Sequence, residues 1–315
     1  MEILFFSLFN GILYGLLLFM LSAGLTLIFG MMGVLNFAHA SFFMLGAYFA
    51  YQISQFIGFW PALVIAPLVV GVAGALVERY GLRQVHKYGH VAELLFTFGI
   101  AFVIEELVQM VWGKAPVPYE IPQSMKFTAL TWQGMNYSAY RVFMVLISVG
   151  IFAALYLFLK RTRVGLIIQA ALSYPDVVGS LGHNVPRIFM LVFGFGTALA
   201  GIAGVLGGNV LGTEPAMALQ LGTIVFVVIV VGGLGSLGGA LIASIFIGLL
   251  TNMAVSFDIP FRGFFEALGV SPEAMGTGKD LIDMTSSGIS PILPYLLLVL
   301  MLIFRPRGLF GQRDV

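Results

Sequence analysis

Residues 11–30 read GILYGLLLFMLSAGLTLIFG, an apolar run without a single charge. In a helix, about 20 such residues cross the ~30 Å hydrocarbon core of a bilayer. Gly11 and Gly15 stand four apart, and Ser22 and Gly30 add further narrow positions. This small-residue spacing lets helix backbones approach closely in lipid. Comparable runs recur along the chain, at roughly 5–30, 42–57, 61–77, 93–112, 142–159, 188–207, 219–231, 240–257 and 290–304. They are continuous rather than alternating in and out, which excludes a transmembrane β-barrel.

Composition agrees with this reading. The chain is 60% hydrophobic and 9% charged, whereas soluble domains average about 25% charged residues. So little charge cannot cover a water-facing surface. The expected fold is all-α: a polytopic transmembrane helical bundle of about nine membrane segments, with possible broken or re-entrant helices, and 1–315 as one domain. Glu2 is acidic and no basic stretch precedes the first run, so that span is expected to remain in the mature protein. With no cysteine, disulfides and thiolate metal sites are excluded.

The few charges are placed unevenly. Arg79, Arg83 and Lys87 form one basic cluster, Lys160, Arg161, Arg163 and Arg187 a second, and Arg305, Arg307 and Arg313 a third. Basic residues mark cytoplasmic loops. Three spans precede the first cluster, two separate it from the second, and four more lead to the third. That parity predicts an N-terminus outside and a C-terminus inside. Glu120, Glu214, Asp258, Glu266, Glu273, Asp280 and Asp283 then fall at the outer face.

Four features interrupt the apolar pattern. The first is Asn36-Phe37-Ala38-His39, between Gly33 and the second span. It reads either as a short inner-face turn or as a broken helix lining a pathway, because irregular backbone at membrane depth needs protein or a water-filled cavity around it. The second is the acidic set of the fourth span. Glu93 suits the headgroup boundary. Glu105 and Glu106 lie about 8–9 Å of helix from Trp112 and point about 100° apart, so both cannot face one groove. They are either pathway acids or interfacial anchors.

The third is the polar stretch from Lys160 to Arg187. Pro175 suits a first helical turn, and Val177, Val178 and Leu181 give a small apolar face. Gly182 and Asn184 suit its end. This is either a docking helix for a cytoplasmic partner or a solvated connector. The fourth is the glycine-rich turn 231–240, VGGLGSLGGA. Residues 233–238 match G-x-G-x-x-G after the strand-like run Ile224–Val231, but an apolar span follows instead of an amphipathic crossover helix, so a dinucleotide site is rejected. Gly235 and Gly239 read instead as another helix-packing step. The Gly276-Thr277-Gly278-Lys279-Asp280 stretch lacks the P-loop spacing. His86 and His90 stand at i, i+4, but without an evident carboxylate partner they read as part of a solvated basic loop rather than a metal site. No nucleophile, base and orienter set is evident, and no catalytic residue, cofactor or nucleic-acid contact is expected.

Taken in order, several segments resemble the membrane permease of bacterial branched-chain amino acid ABC transporters. They are the 11–30 span, Asn36-Phe37-Ala38-His39, Glu78-Arg79 with Arg83, Arg161-Thr162-Arg163-Val164-Gly165, the 232–240 glycine turn, and Arg305-Pro306-Arg307-Gly308-Leu309-Phe310-Gly311. Ala40, Gln84 and Gln169 depart from that pattern, as does the long 257–290 stretch. The resemblance implies a permease subunit of an importer in the bacterial inner membrane. Its cargo would be branched-chain or other amino acids, or related small polar organic solutes. Its partners would be a second homologous permease, two cytoplasmic ATP-binding subunits, a periplasmic substrate-binding protein and the membrane lipid around the chain itself. ATP hydrolysis would occur in the partner subunits. The loop around Arg161, Arg163, Gly165, Asp176, Val177, Val178, Leu181 and Gly182 would couple to the ATPases. Asn36, Phe37 and His39, with Glu105 and Glu106 after them, become pathway candidates. The alternative is an ion-coupled secondary transporter using Glu105 or Glu106.

Overall fold

The computed structural model describes residues 2–132, 135–262 and 284–311. Its helices are α1 (Glu2–Met32), α2 (His39–Ile57), α3 (Phe59–Val77), the short α4 (Arg83–Val85), α5 (His90–Trp112), α6 (Ala139–Arg161), α7 (Arg163–Ser173), α8 (Pro175–Ser180), α9 (Val185–Leu211), α10 (Met217–Gly232), α11 (Leu237–Phe257), α12 (Ser286–Ile289) and α13 (Leu293–Phe304). An all-α membrane bundle is what these elements form, with one addition. Thr128–Trp132 (β1) and Met135–Ser138 (β2) pair antiparallel, with Thr131 opposite Asn136. Threonine, tyrosine and tryptophan favour extended backbone, and this polar connection is free of the lipid constraint that forces helix elsewhere.

Among the described residues, seven helical stretches are long and apolar enough to cross a membrane: Ile3–Met32, Phe59–Tyr88, His90–Trp112, Ala139–Arg161, Val185–Leu211, Leu237–Phe257 and Ser286–Phe304. The other two expected segments are helices of a different kind. α10 has 16 residues, about 24 Å of helix. α2 has 19 residues and buries most of its first half. The acidic Glu266, Glu273, Asp280 and Asp283, together with Lys279 and Arg313, lie outside the described residues.

α1 is the central post. Every residue from Gly15 to Ile28 is buried, against α11, α9, α6 and α10. Its glycines set a close seam with α11. A Cβ on Gly15 would come within 2.6 Å of Ile245 Cα, and one on Gly11 within 2.9 Å of Leu249 Cα. Gly235 and Gly239 do not share a helix face as their spacing suggested. α11 begins only at Leu237, so Gly235 lies in the preceding turn at φ +80°, against Gly30, while Gly239 meets Gly232. The strand-like run Ile224–Val231 is helical and belongs to α10.

The chain's end closes onto this turn. Leu309 and Phe310 N–H groups donate to the Val231 and Gly232 carbonyls, at 2.8 and 3.1 Å. Gly308 (φ +76°) and Gly233 (φ +101°) lie where a Cβ on either would strike backbone.

Candidate functional site

The break after α1 folds back into the bundle. His39 Nε2 lies 3.0 Å from the Leu21 carbonyl, and Gly24 is directly beside the His39 ring. Leu21 stands eleven residues before the end of α1 at Met32, about 16 Å back along the helix. The short segment 33–38 therefore climbs alongside α1, and α2 starts inside the helix bundle, beside Leu21 of α1. At this break Asn36 and Ala38 are buried by the surrounding protein instead of forming an exposed turn.

Asn36 and His39 are 3% and 1% exposed. Asn36 Oδ1 accepts from the Ala38 N–H at 3.1 Å, while its Nδ2 has no partner. A carbonyl only accepts, so His39 Nε2 carries the proton donated to Leu21, and Nδ1 of the neutral ring is a bare acceptor with no partner. The Phe37 N–H donates to Thr97 Oγ1 at 3.3 Å. Its ring is half exposed, stacked on Phe226 at 5.9 Å and edge-on to Phe98.

These residues line a groove of about 280 Å³ between the start of α2 and helices α5, α10 and α13. Most of its wall is apolar, including Leu25, Leu35, Phe102, Val225 and Leu298, with a few polar groups set into it. Glu105 is one of them, half buried and accepting from Gln109 Nε2 at 3.3 Å. Glu106 is exposed and is not part of the lining. Ser41, Thr223 and Tyr295 are others, the last two hydrogen-bonding each other at 2.7 Å. No local signal marked Thr97, Thr223 or Tyr295, because each is an ordinary hydroxyl within an apolar helix.

The Lys160–Arg187 stretch folds as expected into short helices. Thr162 caps α7 by accepting from the Gly165 N–H at 3.0 Å. A Cβ on Gly165 would lie 2.3 Å from the Phe158 carbonyl, so this corner requires glycine. Pro175 opens α8 and Gly182 follows it at φ +88°, but Asn184, expected to end this helix, instead caps the start of α9. Arg161, Arg163 and Asp176 are exposed. The small apolar face is split, however. Val178 is 4% exposed, whereas Val177 and Leu181 are 57% and 73% exposed. Val178 is a foot that seats α8 on its own chain, and only Val177 and Leu181 are presented outward.

A neighbouring ion pair ties this region together. Arg83 bonds Glu78 at 2.6 Å and also donates to the Pro186 carbonyl at 2.7 Å. Nearby, Glu93 is 2% exposed and is held by Nδ1 of both His86 and His90. The histidine pair thus does have a carboxylate partner, brought in by the turn at Gly89 (φ +88°). Glu93 is a buried acceptor rather than a headgroup-facing acid. Among the described residues no group of His, Cys, Asp or Glu is placed to hold a metal ion.

The family model of the branched-chain amino acid transport system permease component matches residues 7–304. The chain belongs to this family. It is similar to the high-affinity branched-chain amino acid transport system permease protein BraD of Pseudomonas aeruginosa, at 25% identity over 97% of this chain and 95% of that protein. It is also similar to LivH of Escherichia coli, at 25% identity over 98% and 96%. A further likeness is to LivM of the same organism, at 25% identity over 92% of this chain and 66% of LivM. The chain is thus an ABC transporter permease component and a multi-pass protein of the inner membrane. The ATP hydrolysis of such a system falls to partner subunits. Family membership decides against the ion-coupled secondary transporter.

Proposed function

We propose that this permease carries branched-chain amino acids, or closely related small polar solutes, through the groove lined by Asn36, Phe37, His39 and Glu105. The observation that carries this reading is the buried start of α2, which puts unpartnered polar groups into an otherwise apolar groove. Polar groups at that depth are costly unless they serve a passing solute or a water-filled cavity. Relatives named for branched-chain amino acids support the substrate class. Glu106, on the exposed face of α5, is left out of the path.

The chain works in a heterodimer with a second related permease, a reading supported by its likeness to both LivH and LivM. The second permease covers the open side of the groove, where Phe37, Phe98, Phe102, Leu219 and Tyr295 are exposed. A periplasmic binding protein delivers the solute, and two cytoplasmic ATP-binding subunits seat on α7 and α8. The nine helices all cross, α2 and α10 included, with the N-terminus periplasmic and the C-terminus cytoplasmic. The running directions support this, since Thr97 meets Phe37 while Trp112 bonds Gln52 at 3.0 Å, so α2 and α5 run parallel.

The test is leucine uptake by the complete complex in proteoliposomes. Ala101 lines the groove on α5, and Ala101→Trp should fill it. Uptake per assembled complex should fall about tenfold or more, the loss of near-attack space being a steric block rather than a weakened contact. Uptake equal to wild type would remove the groove as the path.

A further inference from the structure

The reading of the groove as a path leaves open which part of a passing amino acid meets which part of the wall. The start of α2 answers this in chemical terms. A helix that begins inside a helix bundle presents its first N–H groups, and the positive end of its dipole, to whatever lies in front of it. Here the Ala38 N–H is taken by Asn36 Oδ1 and the His39 N–H by the Asn36 carbonyl. The N–H groups of Ala40 and Ser41 meet no acceptor among the described residues, and both residues line the groove.

A second observation is independent of the helix end. The Asn36 side chain is almost wholly buried and lines the same groove. Its oxygen is committed to Ala38, which leaves Nδ2, a pure donor, without a partner. Two kinds of donor, backbone N–H and side-chain amide, therefore belong to residues that line one groove, with no acceptor opposite them. Three residues on, His39 Nδ1 is a bare acceptor, because the opposite nitrogen donates to Leu21. The combination of clustered donors with one nearby acceptor matches the two ends of an α-amino acid.

We propose that the first turn of α2 and Asn36 Nδ2 form the station that receives the carboxylate of an amino acid in transit. The α-ammonium then donates to His39 Nδ1, and an aliphatic side chain lies against the rings of Phe37, Phe98 and Phe226. Glu105 does not share this station. It lies eight residues beyond Thr97 on α5, about 12 Å further along the helix toward Trp112. The station rests on the proposed path, and the test separates the two.

The experiment uses the complete complex in proteoliposomes, with leucine and its binding protein as the probe. Asn36→Leu should cut uptake per assembled complex about tenfold or more, the effect of losing a hydrogen bond to a charged group. Asn36→Ser, which keeps a donor, should retain much of it. The absence of cysteine allows a second readout that does not depend on transport. A cysteine at Phe37 is labelled with an anionic ethylsulfonate or a cationic trimethylammonium thiosulfonate. The anionic-to-cationic rate ratio should be about tenfold higher with Asn36 than with Asn36→Leu.

Normal uptake in Asn36→Leu, with Ala101→Trp blocked, would overturn the station and leave the path standing. Lost uptake in Asn36→Leu with an unchanged labelling ratio would also overturn it, since Asn36 would then be structural. Normal uptake in Ala101→Trp would overturn the path and the station with it.

Discussion

Leu181→Asp is the sharpest test of the coupling loop, because the structure separates outward from inward residues within one short helix. Leu181 is 73% exposed in this chain, so the substitution leaves the isolated permease almost untouched. If an ATPase groove covers that side chain, the loss has two parts. The apolar burial forgone is about 1–2 kcal/mol for the part of leucine still exposed. Burying an unpaired carboxylate in its place costs several kcal/mol more. A total of about 3–5 kcal/mol weakens docking at least a hundredfold, since each 1.4 kcal/mol is a factor of ten. The assay is titration of purified ATPase subunits onto the permease pair in nanodiscs. Leu181→Asp should insert normally and bind ATPase at least about a hundredfold more weakly. Val178→Asp should behave differently, lowering permease abundance itself, because Val178 is buried in its own chain. An ATPase affinity within a factor of about three of wild type for Leu181→Asp would refute docking through α8.

Other outcomes follow from the same geometry. His39→Leu removes the bond to the Leu21 carbonyl, worth about 1 kcal/mol, and should slow leucine uptake per complex while the binding protein's affinity stays unchanged; uptake at the wild-type rate takes His39 off the path. Single cysteines replacing Gln84 and Ala170, both exposed, should react with an impermeant maleimide only once the inner face is opened, and one replacing Thr128 should react from outside; outside labelling at 170 overturns the N-out arrangement. Hydrogen bonds from the Ser287 and Thr285 hydroxyls hold the Asp258 carboxyl below the ordinary carboxylate value. Its contribution to the α11–α12 junction is thus fully present above its unfolded pKa of about 3.9 and lost as pH falls through the lower folded value; hydrogen-exchange protection at Ser286 and Ser287 should be flat from neutrality to about pH 5 and drop only below about pH 4.

Much of the architecture was legible in one dimension. The apolar runs marked the helices, because in lipid each backbone polar group must be satisfied within its own segment, and length and hydropathy are local properties. The order of Asn36-Phe37-Ala38-His39, the Arg161–Gly165 corner, the glycine turn and the terminal Arg305–Gly311 stretch carried the family. Caps and turns were local too: Pro175, Gly182 and Asn184 ended or began helices where their backbone chemistry requires.

Depth and facing were not local. Whether Asn36 and His39 sat at the surface or inside depended on how far the chain climbs beside α1, and only the contact with Leu21 shows that. The i, i+4 spacing of Gly235 and Gly239 suggested one face, yet α11 starts between them. Val178 turned inward and Leu181 outward because α7 and α9 cover one side of α8. Glu93 found two histidines across a glycine turn. Sequence alone determined that the chain is a helical membrane permease. Tertiary packing decided which of its few polar groups meet a groove, a partner or one another, because a side chain's neighbours across helices are set by long-range contacts that no local periodicity encodes.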